Sequence, residues 1–258
     1  MSNRFIDTRQ GHWLLSKMGK RVLRPGGKEL TLKLLGGMDF TERDDVIEFA
    51  PGIGYTATQV LKKNPHSYTG IELNEEAAAG LQKKFTGPNR QIIIAEASQT
   101  HLPDECADKL YGEAMLTMHV DKRKSEIIRE AHRLLRKGGY YGIHELGLAP
   151  DEISEETKAT VQRELSQCIK VNARPLTVHE WRTLLENEGF EIVHVYTNPM
   201  LLLETKRVID DEGLLRSLKI GFNILRNNSA RKRINEMRCV FNKYKKEMNA
   251  VAIIARKK

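Results

Sequence analysis

Between residues 45 and 144, short apolar runs alternate with stretches of helical periodicity, and a chain written that way is expected to wind helices around a parallel sheet. Asp45 to Phe49, Tyr68 to Ile71, Gln91 to Ala95, Asp108 to Gly112 and Tyr140 to His144 read as five successive strands. Asn74 reads as an N-cap ahead of Glu75 and Glu76, whose charges suit a helix N-terminus, and that helix runs to about Phe85. Ile127, Ile128, Ala131, Leu134 and Leu135 recur at helical spacing, with Gly138 and Gly139 expected to stop the helix before strand five. Thr177 and Glu180 form a Thr-x-x-Glu capping box whose helix closes near Gly189. The strand Phe190 to Tyr196 follows, and Ala250 to Ala255 supplies the last one.

The fold class expected from this order is a doubly wound, Rossmann-like α/β sheet, mostly parallel with an antiparallel last strand. The 258 residues suffice for one such domain with inserted helices. Its expected parts are an N-terminal helical cover (1–44), the sheet core (45–199 and 249–258) and a helical insertion (200–248). Residues 149–174, read as one helix and a loop, and the insertion, read as two or three helices, stand outside the alternation. Insertions at the ends of sheet strands usually build substrate pockets, so both read as lid elements. The apolar residues of the insertion, among them Leu214, Leu215, Leu218, Phe222 and Leu225, are expected to pack inward and its cations to face out.

Charge and cysteines narrow the function classes. The net charge is +8, and from Gly213 onward Glu236 and Glu247 are the only carboxylate side chains among many cations. Such a surface suits an anionic partner or is simply solvated. Cys106, Cys168 and Cys239 stand far apart, so no disulfide framework, zinc site or arsenic-binding cluster is expected, and no metal. The start, Met1 to Gln10, is polar and no apolar run is long enough to span a bilayer. A cytoplasmic protein without a membrane partner is the expectation.

The loop after strand one reads Glu48-Phe49-Ala50-Pro51-Gly52-Ile53-Gly54-Tyr55-Thr56-Ala57. Gly52, Gly54 and Ala57 satisfy Gly-x-Gly-x-x-Ala, and Glu72 lies 20 residues after Gly52, so a dinucleotide fingerprint is formally present. The glycines permit a tight turn and a close ligand approach, and Glu72 can accept hydrogen bonds from two ribose hydroxyls. NAD and S-adenosylmethionine would both use these features. Glu48 separates them: a carboxylate beside the turn repels a pyrophosphate but suits a ligand carrying an ammonium and a sulfonium. Tyr55, directly after Gly54, is placed to approach the methionine portion of such a ligand.

At this point the chain resembles the class I S-adenosylmethionine-dependent methyltransferases of the small-molecule, type 11-like kind. Their first motif, acidic-x-Gly-x-Gly-x-Gly, is present as Glu48-x-Ala50-x-Gly52-x-Gly54, with Ala50 in place of the first glycine. The resemblance extends over most of Asp45 to Tyr196. Glu72 and Leu73 match the acidic position after strand two, and Glu96-Ala97 the acidic-Ala pair that contacts adenine. Leu134-Leu135-Arg136-Lys137-Gly138-Gly139 matches the approach to strand five. The resemblance further implies that Gly112 to His119 faces the transferred methyl group, making Glu113, Thr117 and His119 pocket residues. It also implies that Gln10, His12 and Trp13 fold over the cofactor.

Methyl transfer is an in-line displacement in which alignment supplies much of the catalysis, and a base is required only where the nucleophile arrives protonated. His144 and His119 are the candidate catalytic residues, His144 being the preferred base. His144 and Glu145 are consecutive in a strand, so at most one of them can face the substrate. The expected acceptor is a small molecule. An RNA or protein methyltransferase using the basic C-terminal helices is the alternative, and a non-enzymatic cofactor-binding module is a third. Nucleic acid is disfavoured because no Asn/Asp-Pro-Pro-Tyr signature follows strand four, where the chain has Gly112-Glu113-Ala114-Met115.

Overall fold

The computed structural model describes residues 7–258. Residues 1–6 of the polar start lie outside the described residues. In chain order the elements are α1 (Gly11–Lys17), α2 (Gly27–Met38), β1 (Asp45–Phe49), α3 (Tyr55–Leu61), β2 (Ser67–Ile71), α4 (Glu75–Lys84), β3 (Arg90–Ile93) and β4 (Ala107–Glu113). A single 3₁₀ turn, Leu116–Met118, leads to α5 (Asp121–Leu134), β5 (Leu135–Leu148), α6 (Glu155–Ile169), β6 (Leu176–Thr177), α7 (Val178–Asn187) and β7 (Phe190–Pro199). The chain closes with α8 (Thr205–Glu212), α9 (Leu214–Arg226), α10 (Asn228–Lys243) and β8 (Met248–Lys257).

The strands form one sheet in the order β3-β2-β1-β4-β5-β8-β7, with the short β6 beside β5. β1 to β5 pair in parallel, while β8 runs antiparallel between β5 and β7. This is the expected fold class. Its strand order reverses at β1, so the chain leaves β1 toward β2 on one side and returns to β4 on the other. The crevice at the carboxyl ends of those strands is where such sheets bind ligands.

Local sequence rules account for the elements. Asn74 accepts the Ala77 N–H, and Thr177 and Glu180 complete both halves of their capping box. α5 ends at Leu134 without help from Gly138 and Gly139, which lie inside β5 where its register against β4 shifts. A Cβ on Gly139 would stand 2.9 Å from the carbonyls of Arg136 and Asp108, so this glycine lets the two strands close at the bulge.

Three apolar clusters hold these layers. On one face Ile47, Phe49, Leu110, Ile127, Trp181 and Ile253 pack beneath α5 and α7. On the other, Leu30, Leu34, Met38, Val46, Tyr68 and Ile254 pack beneath α2, α3 and α4. The third joins α1, α6 and α10 to the ends of β5 and β8 through Leu14, Leu165, Met237, Phe241, Leu148 and Met248. The first 44 residues are therefore divided: α1 belongs to this helical cap and α2 to a layer of the sheet. The insertion holds three helices, and its middle one departs from expectation. Leu214, Leu215, Leu218, Phe222 and Leu225 of α9 face solvent, and its buried apolar anchor is Ile220. Among the described residues no helix is long and apolar enough to cross a membrane.

Candidate active site

The loop after β1 turns through three left-handed residues, Ala50 (φ 52°), Gly52 (φ 58°) and Gly54 (φ 72°). Its two glycines do different work. A Cβ on Gly54 would lie 2.7 Å from Leu81 and Phe85, so Gly54 lets α3 pack against α4. At Gly52 the nearest atom to such a Cβ would be the Ala50 carbonyl at 4.0 Å, and the residue faces an open cleft. Three of the loop amides are already engaged: Ala50 N–H donates to Ile71 O (2.8 Å), Gly54 N–H to Pro51 O (2.9 Å) and Gly52 N–H to Glu72 Oε2 (2.9 Å). A pyrophosphate would need such amides free.

The cleft has a volume of about 450 Å³. Ala50, Gly52, Glu72, Leu73, Glu96, Ala97, Glu113 and His119 stand on its wall, and Gln10, His12, Trp13 and Arg24 enclose it from the N-terminal side. Of the twelve residues expected to bind the cofactor or act in catalysis, eight thus come together, while Thr117, the further pocket residue expected, does not line the cleft. Glu72 also accepts the Asn74 N–H at 2.9 Å, and burial raises its pKa. Each carboxylate oxygen accepts one backbone N–H and keeps a further lone pair for a ligand hydroxyl. Glu96 pairs with Arg123 across the cleft mouth.

Glu48, Gly54, Tyr55 and His144 are not on that wall. Glu48, expected to face the cofactor's ammonium, is buried beneath the loop, where its Oε2 accepts the hydroxyls of Tyr68 (2.5 Å) and Tyr111 (2.6 Å). Burial raises its pKa to about 7. Residues 46 and 48 share the sheet face of Tyr68 and Tyr111, so strand alternation turns Glu48 toward α2 and α4. Glu48, turned away from the cleft, is not what disfavours a pyrophosphate. The Tyr55 ring lies against the Arg24 guanidinium, 5.3 Å from its centroid.

His144, expected to be the base, is fully buried. Its Nδ1 lies 2.7 Å from Glu113 Oε1 and its Nε2 bonds the Pro25 carbonyl, so neither nitrogen can reach a substrate. His144 is a positioning residue for Glu113. Thr31 donates to Glu113 Oε1 at 2.7 Å, Thr56 donates to Oε2, and Arg24 Nη1 pairs with Oε2 at 3.2 Å. Burial pushes the Glu113 carboxyl up, but Arg24 and His144 outweigh it and hold its pKa at about 2. The permanent anion in turn fixes Arg24 on the cleft wall. The loop carrying Arg24 is held by α8: Arg21 and Val22 donate their N–H groups to Glu212, and Lys28 donates to Asp211.

Beyond β4 the chain is shaped by Glu145. It is buried, and its carboxylate accepts the N–H groups of Met115 (3.0 Å), Leu116 (2.8 Å) and Thr117 (3.0 Å) and the Thr117 hydroxyl (2.7 Å). This cap folds residues 114–118 across the end of the cleft. Behind them lies a second, apolar cavity of about 90 Å³ among Leu15, Leu165, Met200, Met237 and Phe241. His12, Leu23, Ala114, Met118 and Val171 wall both cavities. Burial lowers His12 to about 4, and burial together with Arg123 and Lys124 lowers His119, so both rings are neutral near pH 7. Arg24 was not among the candidates because it lies in no motif, and Glu145, weighed only as the alternative to His144, has a role that depends on backbone amides 28 to 30 residues away.

The family described as a methyltransferase domain matches residues 46–139. An uncharacterized protein of Haemophilus influenzae is 31% identical over 251 residues, covering 96% of this chain and 98% of its own. The 27-O-demethylrifamycin SV methyltransferase of Amycolatopsis mediterranei is 27% identical, covering 69% of this chain and 67% of that protein. Among solved structures, the cyclopropane synthase MmaA2 of Mycobacterium tuberculosis shares the fold at a TM-score of 0.68, with 14% identity over 98% of this chain and 92% of that one.

Proposed function

The chain belongs to the class I S-adenosylmethionine-dependent methyltransferases, and from that premise we propose that it methylates a small, largely apolar molecule seated in the cavity between α1, α6 and α10. S-adenosylmethionine is its cofactor. The cleft fits that group: about 450 Å³ lies within the usual range for ligand sites, roughly 300–1,000 Å³, and the Ser98 hydroxyl on its wall has no partner among the described residues. Glu72 would hold ribose hydroxyls, Glu96 and Ala97 the base, and residues 50–53 the amino-acid end. When bound, the cofactor supplies an electrophilic methyl group on a sulfonium.

The chain's own contribution is alignment and dryness. The observation that carries the reading is the shared wall: Ala114 and Met118 separate the polar cleft from the apolar cavity by a single layer of side chains. An acceptor held in the cavity is thereby aimed at the cleft, and pre-arranged in-line geometry can supply much of the rate. The Glu145 cap keeps residues 115–117 from yielding. His12, neutral and on both cavities, orients an acceptor heteroatom through a hydrogen bond, and His119 does so from the cleft side. The apolar lining, Met237 and Phe241 above all, excludes water and favours hydrocarbon.

The test is to incubate the protein with methyl-labelled S-adenosylmethionine and cell extract, then separate solvent-soluble small molecules, RNA and protein. The expected result is label in the small-molecule fraction. Label confined to RNA or to protein would overturn the reading.

A further inference from the structure

The outer face of α9 is more apolar than its inner face. At 100° per residue Leu214, Leu215, Leu218, Phe222 and Leu225 fall within one stripe about 100° wide, and they are between 56% and 84% exposed. The opposite face is fixed by polar bonds: Asn223 donates to Met18 O and Arg216 Nε to Gly19 O, each at 3.0 Å. A helix is seldom held to its own protein by its polar side while five large apolar side chains stand in water, and such a patch marks an interaction surface.

The surrounding charge says what the partner is. Residues 213–235 contain Arg216, Lys219, Arg226, Arg231, Lys232 and Arg233 and no carboxylate side chain. Lys219 and Arg226 border the stripe on the helix wheel, and among the described residues neither forms an ion pair. A second copy of the chain, meeting this face through a twofold axis, would bring the same cations together and be repelled. RNA would use the cations and leave the leucines wet. An anionic lipid surface satisfies both, with apolar side chains in the acyl boundary and cations among the headgroups.

We propose that α9 is an interfacial helix by which the protein lies on an anionic lipid surface. Lying on a bilayer needs no spanning segment, so the absence of one among the described residues is consistent with it. The buried side of the insertion lines the apolar cavity through Met237 and Phe241, and Ile224 of α9 packs against the same cluster. The docked face is therefore about one helix diameter, roughly 10 Å, from that cavity. It follows, resting on the reading that this cavity holds the acceptor, that the acceptor is drawn from the lipid phase.

The experiment is co-sedimentation of the full chain with vesicles of phosphatidylcholine alone and of phosphatidylcholine with 30 mol% phosphatidylglycerol, without acceptor, so that its outcome is independent of turnover. Pelleting with the anionic vesicles only, weakened by salt, is expected. Both Leu215→Glu with Phe222→Glu and Lys219→Glu with Arg226→Glu should lower the vesicle partition constant about tenfold, equivalent to about 1.4 kcal/mol, while calorimetry shows unchanged S-adenosylmethionine affinity. Pelleting that survives the Leu215→Glu, Phe222→Glu variant would overturn the proposal. So would no pelleting with either vesicle, or a concentration-dependent dimer in the wild type that this variant abolishes.

Discussion

At the scale of single residues, the site separates groups that face the cleft from groups that hold those groups still. Glu72 lines the cleft and also anchors Gly52, whereas Glu48 and His144 are sealed behind the wall. Glu48 has a measurable signature. Burial raises its pKa in the folded protein from 4.5 to about 7, so between those values the folded chain keeps a proton that the unfolded chain releases. Its contribution to stability is largest below pH 4.5 and declines as pH rises through 7. Urea unfolding at pH 5 and pH 8 should therefore show wild type losing about 2–3 kcal/mol more than Glu48→Gln. Equal changes in the two proteins would mean that Glu48 is ionised throughout. The eight wall residues were legible because each stands at a fixed offset from a strand end. Glu48 and His144 were misread because their directions depend on Tyr68, Tyr111, Glu113 and Pro25, all distant in sequence.

At the scale of elements, the loop from β1 to α3 does two jobs with two glycines, and substitution should part them. Gly54→Ala introduces a Cβ 2.7 Å from Leu81 and Phe85 at positive φ, so its main effect should be on stability, about 2–4 kcal/mol. Gly52→Ala meets no neighbour and carries only the left-handed penalty, about 1–2 kcal/mol. It should, however, lower S-adenosylmethionine affinity at least tenfold by filling cleft space. Thermal unfolding and calorimetry on both variants check the division; a Gly54→Ala protein as stable as Gly52→Ala would contradict the packing account. The strand succession and caps were readable because periodicity and capping are local. The end of α5 was misjudged because Gly138 and Gly139 serve the β4–β5 bulge, a pairing between segments about 30 residues apart.

At the scale of the whole molecule, the sheet supplies a fixed edge, the N-terminal loop held by α8 closes one side of the cleft, and the helical cap adds an apolar chamber behind it. The sequence placed the excess cations in the C-terminal part but could not show which way α9 turns. Its two faces compete for burial, and the outcome is set by the loop at Met18 and Gly19, some 200 residues earlier. The central claim is that the cleft and the apolar cavity are the two halves of one methyl-transfer site. A crystal structure of the complex with S-adenosylhomocysteine tests it most directly. The account predicts ribose hydroxyls on Glu72, the base beside Glu96 and Ala97, and the sulfur directed at Ala114 and Met118, toward the apolar cavity. A ligand bound elsewhere, or one whose sulfur points away from that cavity, would contradict it.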